Sequence, residues 1–260
     1  MNSTRSEVLQ ALARRIQEIE GTGPSRRQSS LSLGIGPVDA LLPNGRLPAG
    51  SLVELLSAAD GAGAWTLSLL MAKHVCGEWK ALVLVDGQRC FYPPGAAQLG
   101  IDLERSLVIR PRTRRDCLLA TNQALRCRGV GAVVGWHDPL RTLDARRLQA
   151  AAEAGGGVGF VLRPAEALRA PSFANLRLLI APLKNGEWRM ENGECGNRSS
   201  FSILHSPFSI RALRVEVVRC RGGRDGQSVL LEIGNEPGDV RALSEVAPAA
   251  VPARAARRSG

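Results

Sequence analysis

The chain has 260 residues, 44% of them hydrophobic, enough to bury one substantial core with loose ends. No apolar run approaches the roughly 18 residues that a membrane span needs, and the opening MNSTRSEVLQ lacks a basic-then-apolar leader, so a cytoplasmic protein without membrane contact is expected. A net charge of +10 suits nucleic acid or an acidic protein, although all but three of the 34 basic residues (Lys73, Lys80 and Lys184) are arginines, a bias that a GC-rich genome also produces.

In chain order, Ser6 to Ile19 places Val8, Leu9, Leu12, Ile16 and Ile19 on one side of a helix, with Arg14, Arg15 and Glu18 elsewhere around it. That stripe fits packing on its own domain or docking to another subunit equally well. Gly21 to Ser30 reads as a linker, so residues 1–30 form an N-terminal amphipathic helix and linker. From Leu31 to Leu183 strands and helices alternate. Ser51 to Leu56 is a short apolar run, Ser57 to Ala64 a small, flexible loop, and from Trp65 onward Leu67, Leu70, Met71 and Val75 recur at the helical period. Further apolar runs cover Ala81 to Asp86, Leu107 to Ile109, Val130 to Val134, Val158 to Arg163 and Leu176 to Ile180. Unbroken apolar strands separated by helices predict an α/β fold, a largely parallel central sheet flanked by helices with right-handed crossovers. Thr113 with Asp116 marks a helix start, and Thr142 is expected to cap a second helix ending at Gly155 to Gly157.

Beyond Lys184 the pattern changes. Residues 184–237 read as a polar loop, Asn185 to Ser209, then an edge hairpin of Arg211 to Arg219 and Ser228 to Ile233 turned by Gly222, Gly223, Asp225 and Gly226. Residues 238–260, rich in Ala, Pro and Arg, are expected to be a disordered basic tail. Six cysteines (Cys76, Cys90, Cys117, Cys127, Cys195, Cys220) form no CxxC pair and do not group with His74, His137 or His205, so mostly buried, reduced thiols and no metal or other cofactor are expected.

Several segments carry a resemblance. LGIGPVDALLPNGRLPAGSLVELL, Leu33 to Leu56, resembles the lead into the P-loop of RecA recombinases. VLVDGQRCFYPPGAAQLGIDLERSLVIRP, Val83 to Pro111, resembles the RecA stretch in which a strand ends in Asp, here Asp86, and a catalytic acid follows two positions later. More narrowly, FVLRP…APSFANLRLLIAPL (Phe160 to Leu183), RALRVEVVRCRGG…SVLLEI (Arg211 to Ile233) and the N-terminal helix resemble the ImuA family, RecA-like proteins of bacterial mutagenesis cassettes. The resemblance implies a RecA-like P-loop fold over residues 31–183 and a noncatalytic adaptor in SOS-type DNA damage response and translesion synthesis. Its implied partners are an ImuB-like Y-family polymerase homologue, an error-prone replicative-type DNA polymerase, RecA and DNA. The alternatives are a cell-division inhibitor like SulA, which shares the general fold, and an active recombinase-type ATPase.

The residues test the last alternative. A working P-loop, Gly-x-x-x-x-Gly-Lys-Ser/Thr, uses amides to cradle phosphates, the lysine to reach the β and γ groups and the hydroxyl to hold Mg²⁺. Aligned on Gly63, with Gly61 also in the loop, the motif meets Ala64 at the lysine position and Trp65 at the hydroxyl position; Thr66 follows, and Asp60 would repel phosphate. Gln88 replaces the catalytic glutamate, and Gly135 stands where a strand-end aspartate would hold Mg²⁺, with Asp138 three residues late. Hydrolysis is not expected, and Trp65 or a neighbour is expected to fill part of the pocket. The crowded Arg105, Arg110, Arg112, Arg114 and Arg115 form a candidate DNA or partner contact. Arg126 and Arg128 read as a solvated face. Trp136, His137 and Trp188 suit a partner face or a core, and no catalytic residue is assigned.

Overall fold

A computed structural model describes residues 29–183, 211–234 and 240–244. The first strand–loop–helix unit is β1 (Leu52–Ser57) and α1 (Ala64–Cys76). It is followed by β2 (Ala81–Val85), the short α2 (Pro93–Gln98), β3 (Ser106–Ile109) and α3 (Arg114–Arg126). Then come β4 (Val130–Trp136), α4 (Thr142–Gly155), β5 (Val158–Pro164) and β6 (Leu176–Pro182). Three further strands, β7 (Arg211–Cys220), β8 (Ser228–Ile233) and β9 (Val240–Ser244), complete the main sheet.

These strands form one nine-stranded sheet in the order β9-β8-β7-β6-β1-β5-β4-β2-β3. β6, β1, β5, β4, β2 and β3 pair in parallel, whereas β7, β8 and β9 add to one edge antiparallel. The α/β architecture is therefore as the alternation predicts. On one face α1 packs Leu67 and Met71 against Val53, Leu55, Val134 and Phe160. On the other, α3 and α4 bring Leu125, Leu148 and Ala151 onto Val83, Val133 and Val161. Full burial of a side chain such as Leu67 stabilises by about 2 kcal/mol, and two such layers hold the central strands.

The segment from Leu33 to Leu47 adds Leu33, Val38, Leu41 and Leu47 to the α1 face. It passes so close to α1 that a Cβ on Gly34, at φ +77°, would sit 2.1 Å from the His74 ring. Only glycine serves there.

Details differ from expectation. Thr113 caps α3, its Oγ1 accepting the Asp116 amide at 3.2 Å and donating to the Asp116 carboxylate at 2.8 Å. Thr142 does not cap α4: Arg141 holds the cap position, without a side-chain bond, and Thr142 is the first helical residue. The tail set from Gly238 onward contains β9, which pairs with β8, so the hairpin is not the outermost pair. Of the described cysteines, Cys76 and Cys220 are buried but Cys90 and Cys127 are exposed, against the expectation of mostly buried thiols. The N-terminal helix, the polar segment 185–209 with Trp188, and residues 245–260 lie outside the described residues.

Candidate functional site

A β1–α1 loop at the carboxyl ends of parallel strands is where α/β folds place ligands. β1 ends at Ser57, and the Ala58 amide donates to Ile180 O of β6 at 2.9 Å, fixing the loop to the sheet. Gly61 and Gly63 then turn the chain at φ +70° and +89°. A Cβ on Gly63 would meet both Leu213 methyls of β7 at 2.9 Å, so the loop is seated on the antiparallel edge of the sheet. Gly63 delivers the chain into α1, whose first-turn amides have no partner within the helix.

A cleft of about 470 Å³ opens over this loop. It is walled by Ala64, Trp65 and Thr66 of α1, by Tyr92 and α2, by Trp136 at the end of β4, and by Ile233 and Gly234 beyond β8. Asp60 is the one charged residue among its described lining residues. Trp65 walls the cleft and leaves this volume open beside it. Three of the chain's ten aromatic residues therefore converge here, an arrangement the sequence reading did not find.

The predicted positions divide. Gly61, Gly63, Ala64, Trp65 and Thr66 line the cleft; Asp86, Gln88 and Gly135 do not. Asp86 is buried and accepts the amides of Cys90 at 2.9 Å and Phe91 at 3.3 Å, with Arg110 Nε at 3.4 Å, so its carboxylate closes the loop that follows β2. Gln88 is exposed on that loop. Gly135 corrects the sequence reading: a Cβ there would meet Val85 at 3.1 Å and His137 Nε2 at 3.3 Å, on the α3 face. Side chains alternate along a strand, and it is Trp136 that faces the cleft.

Among the described residues, no cation lines the cleft. Lys73 donates from Nζ to Leu99 O at 3.3 Å and, with Lys80, lines a separate cleft of about 480 Å³ at the C-terminal end of α1. Cys90 borders the cleft, but burial and the neighbouring Asp86 carboxylate push its thiol up, away from the thiolate that nucleophilic chemistry needs. Among the described residues, no three His, Cys, Asp or Glu side chains gather as a metal site. No described helix is long and apolar enough to cross a membrane.

The arginine cluster separates as well. Arg105 precedes β3, pairs with Asp102 at 3.4 Å and lines the cleft containing Lys73. Arg110, Arg112, Arg114 and Arg115 follow β3, at the other end of the strand, and are exposed. The sequence placed all five together because β3 is only four residues long.

A second constellation was hidden in strands read as apolar. Glu54 of β1 is buried; its Oε1 accepts a hydrogen bond from Arg163 Nη1 of β5 at 2.7 Å, and its Oε2 lies 2.8 Å from Arg177 Nε of β6, an ion pair without hydrogen-bond geometry. Arg163 also reaches Asp138 Oδ1 at 3.3 Å from both Nε and Nη2, which gives Asp138 a structural partner. Arg177 donates to the carbonyls of Ala167 and Leu168. Glu54 and Arg177 stand directly opposite in the ladder, so the alternation that puts apolar neighbours on the α1 face puts these charges together on the other.

His137 is buried beyond β4, its Nε2 3.0 Å from Thr121 Oγ1. Its Nδ1 has no hydrogen-bond partner among the described residues. Neither His137 nor Thr121 lines either cleft, so His137 is a packed core histidine.

No family model matches the chain. Compared with known proteins, it is 31% identical over 242 residues to Protein ImuA of Caulobacter vibrioides, covering 88% of this chain and 96% of that protein. Protein RecA of Marinobacter nauticus is 25% identical over 142 residues, 52% of this chain and 41% of that RecA. Protein RecA of Ruegeria pomeroyi is 29% identical over 119 residues, 46% of this chain and 31% of that RecA.

Proposed function

The chain belongs to the ImuA family, and on that premise we propose that it is a noncatalytic, RecA-like adaptor in damage-induced mutagenesis. Its cleft is the remnant of a nucleotide site. In this reading the partners are an ImuB-like Y-family polymerase homologue and an error-prone replicative-type DNA polymerase, with RecA and DNA as further contacts. The likeness to ImuA over nearly its whole length supports this assignment over a recombinase, since the RecA matches span less than half of each RecA.

The observation that carries the noncatalytic reading is the charge of the cleft. Phosphoryl transfer depends on cations that neutralise developing negative charge at the γ-phosphate. The described lining here offers one carboxylate, Asp60, and three aromatic side chains. The α1 amides would favour an anion by themselves, but a full negative charge beside them opposes the partial positive charge of a helix end.

Incubation of the full chain with radiolabelled ATP and Mg²⁺, with and without single-stranded DNA, is expected to give no turnover above buffer. ATP at about 1 mM is expected to leave the thermal midpoint unmoved, because a ligand stabilises only what it binds. Turnover that vanishes in Thr66→Trp, whose enlarged side chain would occupy the cleft, would overturn the noncatalytic reading. Gly63→Trp is the poorer control, since Leu213 leaves no room for a side chain there.

A further inference from the structure

We propose that the outer face of α3 and α4 is a docking surface for an acidic amphipathic helix of a partner protein. The two helices lie side by side on the face of the sheet opposite α1; α3 joins β3 to β4 across β2 and α4 joins β4 to its neighbour β5, all of them parallel, so the helices run in the same direction. Asn122 Nδ2 donates to Arg147 O at 3.1 Å, which sets their relative level. One turn toward the N-terminus on both helices come Leu119 and Leu143, 54% and 65% exposed. Side chains three and four apart share a helix face, so Leu119 lies on the face of Asn122 and Leu143 on that of Arg147, which sets two exposed leucines at one level of the helix pair.

Arginines frame the two leucines. Arg115 stands one turn before Leu119, Arg126 Nε donates to Asn122 Oδ1 at 3.2 Å, and the Arg147 side chain is 75% exposed. The two helices together carry five arginines against three carboxylates, so their net charge is positive. Asp116 is bonded to Thr113, Asp144 lies 3.8 Å from Arg147, and Glu153 accepts from Gln149. What remains is a cationic rim around paired leucines.

Charge complementarity identifies the occupant. An amphipathic helix binds by laying its apolar side chains on such a surface, and carboxylates flanking those side chains would meet the rim. The ends of this chain do not fit. Residues 1–28 carry five arginines against three glutamates, and residues 245–260 three arginines against one glutamate. Nucleic acid would use the arginines but leave the leucines facing phosphate. The proposal refines the adaptor reading by naming one partner surface, and because that surface lies across the sheet from the cleft, either can fail without the other.

The test is fluorescence anisotropy on the full chain with a labelled acidic amphipathic peptide, leucines at i, i+3, i+4 and i+7 and glutamates elsewhere. A scrambled peptide and a single-stranded oligonucleotide run alongside. The expected result is binding of the acidic helix, weakened about tenfold or more by Leu119→Ser with Leu143→Ser and equally by Arg126→Glu with Arg147→Glu, with the scrambled peptide about tenfold weaker. All four positions carry exposed or half-exposed side chains, and circular dichroism verifies that the variants fold. Absence of binding, equal binding of the scrambled peptide, or indifference to the leucine substitutions would overturn the proposal. Oligonucleotide binding that the charge reversals abolish and the leucine substitutions spare would assign the face to nucleic acid instead.

Discussion

Replacing Glu54 with Gln is expected to destabilise the fold by about 3–5 kcal/mol, because it leaves two buried guanidinium groups without their shared anion. Arg163 and Arg177 side chains are 4% and 7% exposed and approach opposite oxygens of the one carboxylate. Asp138 offers Arg163 a second anion, but at 3.3 Å and 40% exposed it is a weaker partner, and among the described residues Arg177 has only the carbonyls of Ala167 and Leu168 besides Glu54. The pairs tie β1 to both of its neighbours, so the loss falls at the centre of the sheet. Denaturant midpoints read by circular dichroism measure it. The apolar replacement Glu54→Leu, Arg163→Met, Arg177→Met is expected to recover most of the loss, since well-packed hydrophobic residues can replace a buried ionic triad at little cost. A Glu54→Gln variant within about 1 kcal/mol of the parent would mean that water reaches the group.

That network also shows where sequence reasoning stopped. The parallel strands were legible because β1, β2, β4 and β5 are short apolar runs bounded by turns and helices, and the α3 start because Thr113 and Asp116 have capping spacing. The single charge in SLVELL and in LRLLI looked tolerable in each strand alone. Only the register, which sets Glu54 opposite Arg177, turns two isolated exceptions into a pair, and register is a long-range property. The cleft was legible in part. Its loop came from glycine spacing, whereas Tyr92 and Ile233 arrive from elements 26 or more residues beyond Thr66 and carry no local signal. At the end of β4 a motif comparison chose Gly135, and strand alternation chose Trp136. Pairing of helices α3 and α4 likewise joined Leu119 to Leu143, two leucines that look unrelated in the chain.

His137 makes the β4 end sensitive to acid. Burial, with a smaller contribution from the Arg114 charge, lowers its pKa from 6.5 to about 4, so the imidazole is neutral in the folded chain at neutral pH. Protonation therefore favours the unfolded chain. The stability held by the neutral ring is intact above the ordinary value of 6.5 and is lost as pH falls through the window down to about 4. Linkage over that interval amounts to about 3 kcal/mol, a large part of the margin of a typical domain. The buried ring cannot offset the added charge: Thr121 Oγ1 is beside Nε2, Nδ1 has no partner among the described residues, and Arg114 repels. His137→Gln, which takes up no proton, separates this contribution from the general titration of carboxylates. Unfolding free energies of both proteins at intervals from pH 7 to about pH 4 are expected to converge as pH falls, the parent losing the larger amount. Parallel pH profiles would show that His137 is hydrated in solution. Because Trp136 precedes His137 and walls the cleft from the other side of the same strand, the acid-induced loss is expected to disturb the cleft wall first, seen as a change in tryptophan fluorescence over the same pH window in the parent and not in His137→Gln.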